Sequence, residues 1–337
     1  MAAFGTPSYS STVTGSRVSV KYGALAENSC TTTCSTSFTV TMPTGGGASG
    51  IWIDGFYMRF HDGSGYQVKA AKLMLHKASY NSGTGAFQWE IEANLEGDPP
   101  PSDTTFDFGV WFHIAVADST VFRFNEKTAS NFSGAGSSGQ CDSTATCSDT
   151  TTFTSVGATG IPFRQMALRG FDLHTDSGNG LDIEDLLVDV RGYTANGNSA
   201  QGQTDCAMLG STTEDVICEV GLTAIAANTF ANSGLHVQNT GVISNTTQTG
   251  GSFNGYSLNS TASTTAAGVL PGLHYWQLTP TAATEVYEII SGCLSQTYTA
   301  SPSPGFASWQ MNWSLQEDSS PSLVYDSSQS CIMSFFP

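Results

Sequence analysis

One order of elements occurs three times along this chain, and that repetition limits the fold more than any other feature. The first copy opens at Cys34 with a Thr-rich strand around Phe38 and Val40, crosses a Gly-rich stretch and reaches Ile51-Trp52-Ile53-Asp54-Gly55-Phe56-Tyr57. A turn at Asp62-Gly63-Ser64-Gly65 leads into Val68 through Tyr80. The second copy runs from Cys147 through Phe153, Gly170-Phe171-Asp172-Leu173-His174 and a turn at Asp176-Ser177-Gly178-Asn179-Gly180, then on to Tyr193. Cys34/Cys147, Phe38/Phe153, Gly55/Gly170 and Tyr80/Tyr193 keep an offset of 113–115 residues.

The third copy matches the first best in its later half, where Trp89, Leu95 and Asp98 correspond to Trp309, Leu315 and Asp318. Upstream, Leu273-His274-Tyr275-Trp276 takes the place of the strand near Phe56-Tyr57. Each copy closes on an apolar strand: Val110 to Val116, Val220 to Ala226, and Cys331 to Phe336.

Period-two alternation identifies these segments as strands. In the first copy Trp89, Ile91 and Ala93 face one way and Gln88, Glu90, Glu92 and Asn94 the other. Gly-, Ser-, Asn- and Pro-rich breaks recur at the spacing of sandwiches and jelly rolls. The expected fold is all-β: three tandem related β-sandwich units, jelly-roll or Ig-like, over residues 1–120, 121–232 and 233–337. Leu181 to Val190 and its counterpart Val68 to Lys77 also fit a short helix, one per unit. Units of about 110 residues are long enough to close their own cores, unlike solenoid repeats.

The eight cysteines fall in neighbouring pairs: Cys30 with Cys34, Cys141 with Cys147, Cys206 with Cys218, Cys293 with Cys331. Such pairing suggests four local disulfides and an oxidising destination. Zinc is disfavoured, because neither close pair has C-x₂-C spacing or a nearby His.

Eleven Lys and Arg against 28 Asp and Glu give a formal charge of −17, which repels phosphate backbones and anionic lipid. Nucleic acid is therefore not an expected partner. No apolar run is long enough for a membrane-spanning helix. Met1-Ala2-Ala3-Phe4-Gly5-Thr6 lacks the basic start and apolar run of a signal peptide. The expectation is a signal already removed, or release by lysis.

Catalytic patterns are sparse. The six His are dispersed, there is no G-x-S-x-G elbow, and the Gly runs lack the Lys-Ser/Thr of a phosphate loop. The acidic turn after Gly170 offers Asp172, Asp176, Asn179 and Asp182 as calcium ligands. Its register fails at Ile183, where a bidentate carboxylate would be needed. Trp52 and Trp276 are the candidates for exposed aromatics that stack on sugars. No cofactor or metal is expected.

These features lead to a non-enzymatic, self-assembling structural protein: a virion coat or appendage subunit, an extracellular filament or a shell layer. Its partners would be copies of itself, and its place extracellular or on a virion surface. The alternative is a carbohydrate-binding or adhesive surface protein with a glycan as ligand.

Overall fold

The computed structural model describes residues 5–14, 17–31, 33–100, 105–134, 141–153, 161, 163–196, 199–227, 229–230, 233–234, 236–239, 241–245, 251–257, 268–293, 308–316 and 325–336. These residues form strands, turns and bends, and no helix occurs among them.

The first third of the chain supplies β1 (Ser8–Tyr9), β2 (Val13–Thr14), β3 (Val18–Thr31), β4 (Thr33–Thr41), β5 (Ala48–Phe60), β6 (Gln67–Tyr80), β7 (Ala86–Asp98) and β8 (Thr105–Ala117). The middle third supplies β9 (Phe122–Ala129), β10 (Cys141–Asp142), β11 (Cys147–Phe153), β12 (Phe163–Thr175), β13 (Ile183–Asn196), β14 (Ser199–Gly210) and β15 (Asp215–Ala227). The last third holds β16 (Thr229–Phe230), β17 (Ser233–Gly234), β18 (His236–Asn239), β19 (Ile243–Asn245), β20 (Gly251–Ser257), β21 (Gly268–Pro280), β22 (Glu288–Gly292), β23 (Ser308–Gln316) and β24 (Tyr325–Phe336). Both segments that also fit a helix, around Val68 to Lys77 and Leu181 to Val190, lie largely in strands β6 and β13.

Three large antiparallel sheets result. The first has the order β1-β3-β8-β5-β22-β23-β20, with β2 also on β3. The second runs β10-β15-β12-β6-β7-β4, with β9 also on β15. The third runs β11-β14-β13-β21-β24-β18, with β19 also on β24. A single connectivity can be traced in each third of the chain. One layer pairs β3-β8-β5, β9-β15-β12 or β18-β24-β21, and the other pairs β4-β7-β6, β11-β14-β13 or β20-β23-β22.

Each large sheet joins strands from two thirds of the chain. The seams are β5 on β22, β12 on β6 and β21 on β13. The sheets therefore run across residues 120 and 232, and the seams close a ring: first third to last, second to first, last to second.

Packing between sheets follows from the alternation. On β7, Phe87, Trp89, Ile91, Ala93 and Leu95 are buried, and Trp89 meets Phe112 of β8 at a ring separation of 4.6 Å. β8 departs from the alternation. His113, Ala115 and Ala117, on the face opposite Phe112, Ile114 and Val116, are buried as well. A strand covered on both faces reads as a continuous apolar run. The second face of β8 joins a cluster with Val18, Trp52, Ala167, Ile225 and Ala227, where the first and middle thirds meet.

Three cysteine pairs match the expected disulfides, Cys30–Cys34, Cys141–Cys147 and Cys206–Cys218. Each links a strand of one large sheet to a strand of another. Cys293 is also disulfide-bonded, and the side chain of its expected partner Cys331 lies outside the described residues.

Candidate functional site

Strands β5, β12 and β21 come together along the ring's central axis. Phe56, Phe171 and Trp276 form a triangle with ring separations of 4.9, 5.4 and 5.1 Å. Such aromatic contacts are worth about 0.5–1.5 kcal/mol each beyond the area they bury. A second layer holds Trp52, Ala167 and Gly272. A Cβ built on Gly272 would stand 3.2 Å from Trp52 Cδ1 and 3.5 Å from the Ala167 Cβ. One large and two small residues fill this layer, and the Trp52 indole donates to the Pro271 carbonyl at 3.0 Å.

Trp52 and Trp276 are each only 1% exposed, so neither can stack on a sugar. The expectation of exposed aromatics is corrected by the ring, which buries the second face of both strands. Gly55 and Gly170 lie opposite Trp111 and Gly221 just after a register shift, and in β21 that place belongs to Tyr275.

Between the two layers each axial strand carries a bulge. The register shifts between Ile53 and Gly55, between Leu168 and Gly170, and between Leu273 and Tyr275. Bulges re-aim a side chain. The bulged residues are Asp54, Arg169 and His274, all ionisable and 0%, 4% and 6% exposed.

Arg169 ties its own third to the preceding one. Its Nη1 donates to the Leu75 carbonyl and lies 2.8 Å from His76 Nδ1, both on β6. Its Nη2 donates to the Lys127 carbonyl at 3.3 Å and to Thr128 Oγ1 at 3.0 Å, both on β9. Burial lowers the Arg169 pKa, and the Glu126 carboxylate opposes that shift. Burial also pushes His76 down, reinforced by the Arg169 charge, so its neutral ring can accept.

His274 bridges the corresponding elements of the next seam. Its Nδ1 lies 3.3 Å from the Val190 carbonyl oxygen on β13, and its Nε2 3.1 Å from the Asn239 side chain on β18. Burial pushes this imidazole down to about 4, so it works neutral.

Asp54 is different. Its backbone carbonyl accepts from Cys293 N at 2.6 Å across the third seam, but neither carboxyl oxygen has a hydrogen-bond partner among the described residues. Its Oδ2 lies 3.4 Å from His113 Nδ1, which is also unpartnered. Burial raises the Asp54 carboxyl well above the usual carboxylate range and pushes His113 down to about 3. Burial thus favours the neutral form of both groups, and His113 is neutral at physiological pH. The Ser291 hydroxyl, on the seam strand β22, is likewise buried and unpartnered.

The acidic turn does not assemble a calcium site. Burial would raise the Asp172 carboxyl, but His174 at 2.8 Å and Lys72 at 3.2 Å hold it below its ordinary value. Asn179 Nδ2 donates to Glu214 at 2.9 Å and Ser177 Oγ does so at 2.6 Å. Asp182 accepts at its backbone carbonyl from Ser211 N at 3.2 Å. Asp172, Asp176, Asn179 and Asp182 are not brought to one point. Among the described residues the one group with metal-ligand spacing is instead sulfur: Cys141, Cys206 and Cys218. Glu214, which organises the turn, is distant in sequence and carries no motif.

Among the described residues a further polar feature is a sheet edge with no strand beyond it. β4 ends the second sheet, with Thr33, Ser35, Ser37, Thr39 and Thr41 exposed along one face and no charged side chain. No family model matches this sequence, and no curated protein is similar to it.

Proposed function

We propose that the chain is three copies of one β-sandwich unit, interlocked in a ring, and that it serves as a non-enzymatic subunit of a larger assembly of its own kind. A virion coat or appendage, an extracellular filament and a shell layer all suit this reading. The observation that carries it is the β4 edge. Natural edge strands usually carry charges, bulges or proline that discourage pairing. Nine residues of Ser, Thr, Val, Phe and Cys without a charge offer a template for another strand.

Two further features support the reading. The buried ionisable groups on the axis face neighbouring strands, and Arg169 and His274 are engaged there in holding the ring together. The three disulfides between sheets are compatible with an oxidising location and support the reading of a protein that works outside cells or on a virion surface. The adhesive alternative has lost its two candidate aromatics to the axis.

Light scattering and electron microscopy on purified protein should reveal large regular particles. Ser37→Lys places a charge on the exposed face of β4 and should shift the population to monomers with the melting temperature unchanged. A wild-type chain that stays monomeric at high concentration contradicts the proposal.

A further inference from the structure

The two cysteine pairs of the middle third, separate in sequence, converge on one place. Cys141 lies on β10, Cys147 on β11, Cys206 on β14 and Cys218 on β15. Cys147 and Cys206 are register partners across β11 and β14. The sulfurs of Cys141, Cys206 and Cys218 all lie within 4.8 Å of one another, and Cys147 is bonded to Cys141. All four residues are at most 4% exposed.

We propose that these four sulfurs form a tetrathiolate site for a soft divalent cation, of the zinc class, whenever the chain is reduced. Zinc takes four thiolates at about 2.3 Å in a tetrahedron, which sets neighbouring sulfurs about 3.8 Å apart. Three of the sulfurs, those of Cys141, Cys206 and Cys218, already lie within 4.8 Å of one another, and the fourth, of Cys147, is bonded to Cys141. The Cα separations are 5.7 Å for Cys141 and Cys147 and 6.6 Å for Cys206 and Cys218. Opening each S–S bond to the tetrahedral spacing lengthens the sulfur separation by less than about 2 Å, a change that rotation of the cysteine side chains supplies.

A second observation points to a cation. A pocket of about 280 Å³ reaches the cluster and is lined by Cys141, Cys218, Asp176 and Asp215. The two carboxylates draw cations to its mouth, and the pocket gives them a way in. A thiol or phosphine reductant first opens the two disulfides, supplying two electrons to each while solvent supplies two protons; on binding, each of the four thiols then returns its proton to solvent and its sulfur lone pair goes to the metal, with no further electron transfer. The same cysteines therefore hold β10, β11, β14 and β15 in either redox state: as two disulfides when oxidised, as one metal centre when reduced.

The test uses the full chain reduced with a phosphine under anaerobic conditions and titrated with Co²⁺, then with Zn²⁺. The expected result is one Co²⁺ per chain with the intense visible bands of a tetrahedral thiolate site, bleached by Zn²⁺. Zinc should raise the melting temperature of the reduced chain by about 5 °C or more, because binding the native state alone stabilises it. Cys206→Ser should lose both effects, and the double variant Cys30→Ser, Cys34→Ser should keep both. Failure of the reduced wild type to develop the bands overturns the proposal. So does equal binding by Cys206→Ser, or binding with no rise in melting temperature, which would mean capture by an unfolded chain.

Discussion

Arg169 and Asp54 occupy the same place in two thirds of the molecule, and the ring treats them in opposite ways. Both are bulged residues on an axial strand, and both are buried. Arg169 carries several donors in a fixed fork and finds partners on β6 and β9. Asp54 carries two acceptors, and at its seam neither meets a donor. A buried charge persists where hydrogen bonds surround it and is otherwise neutralised by a shifted pKa. One bulge therefore works as a staple and the other as a weak point, where the last third of the chain closes on the first.

The largest effect should come from breaking the staple. Arg169→Met removes the guanidinium donors from the Leu75 and Lys127 carbonyls, His76 and Thr128. It should cost about 3–5 kcal/mol in urea unfolding, since removing one member of a buried charged network strands the rest. Overpacking the axis should rank next. Gly272→Val drives a side chain into Trp52 and should cost about 1–3 kcal/mol. Combining it with Trp52→Phe should recover part of that loss, and a double-mutant cycle would report the coupling.

The smallest effect has the opposite sign. Asp54→Asn removes an ionisable group from an unpartnered buried site and should stabilise the chain by about 1 kcal/mol at pH 7. The dependence on pH sharpens the comparison. The unfolded chain ionises Asp54 near the ordinary carboxylate pKa while the folded chain keeps the proton, so wild-type stability from this group falls as pH rises above about 4. The gain from Asp54→Asn should therefore grow as pH rises above about 4. His113 acts the other way. It stays neutral in the fold down to about 3, so its contribution is lost as pH falls from about 6.5 towards that value. Thermal melts across this range would separate the two.

Strand identity was legible where one face is wet. The alternation of Trp89, Ile91 and Ala93 with Glu90 and Glu92 marks β7, and three of the four local cysteine pairs are bonded as their spacing suggests. Legibility ends where a strand is covered on both sides. On β5 a period-two reading leaves Trp52 available to solvent, yet the axis supplies a second buried surface that no local pattern encodes. The bulges are equally silent, because one extra residue changes register without changing composition. The junction between the two central cysteine pairs depends on which strands become neighbours in space. So does the hold of Glu214 on a turn 35 residues earlier.

The shared seams make one further demand on the molecule: no third can melt without exposing the edge of a strand in another. Differential scanning calorimetry on the oxidised full chain tests this directly. The ring account requires a single transition with equal calorimetric and van't Hoff enthalpies, shifted as a whole by Arg169→Met. Two or three separable transitions, with Arg169→Met lowering only one of them, would contradict it.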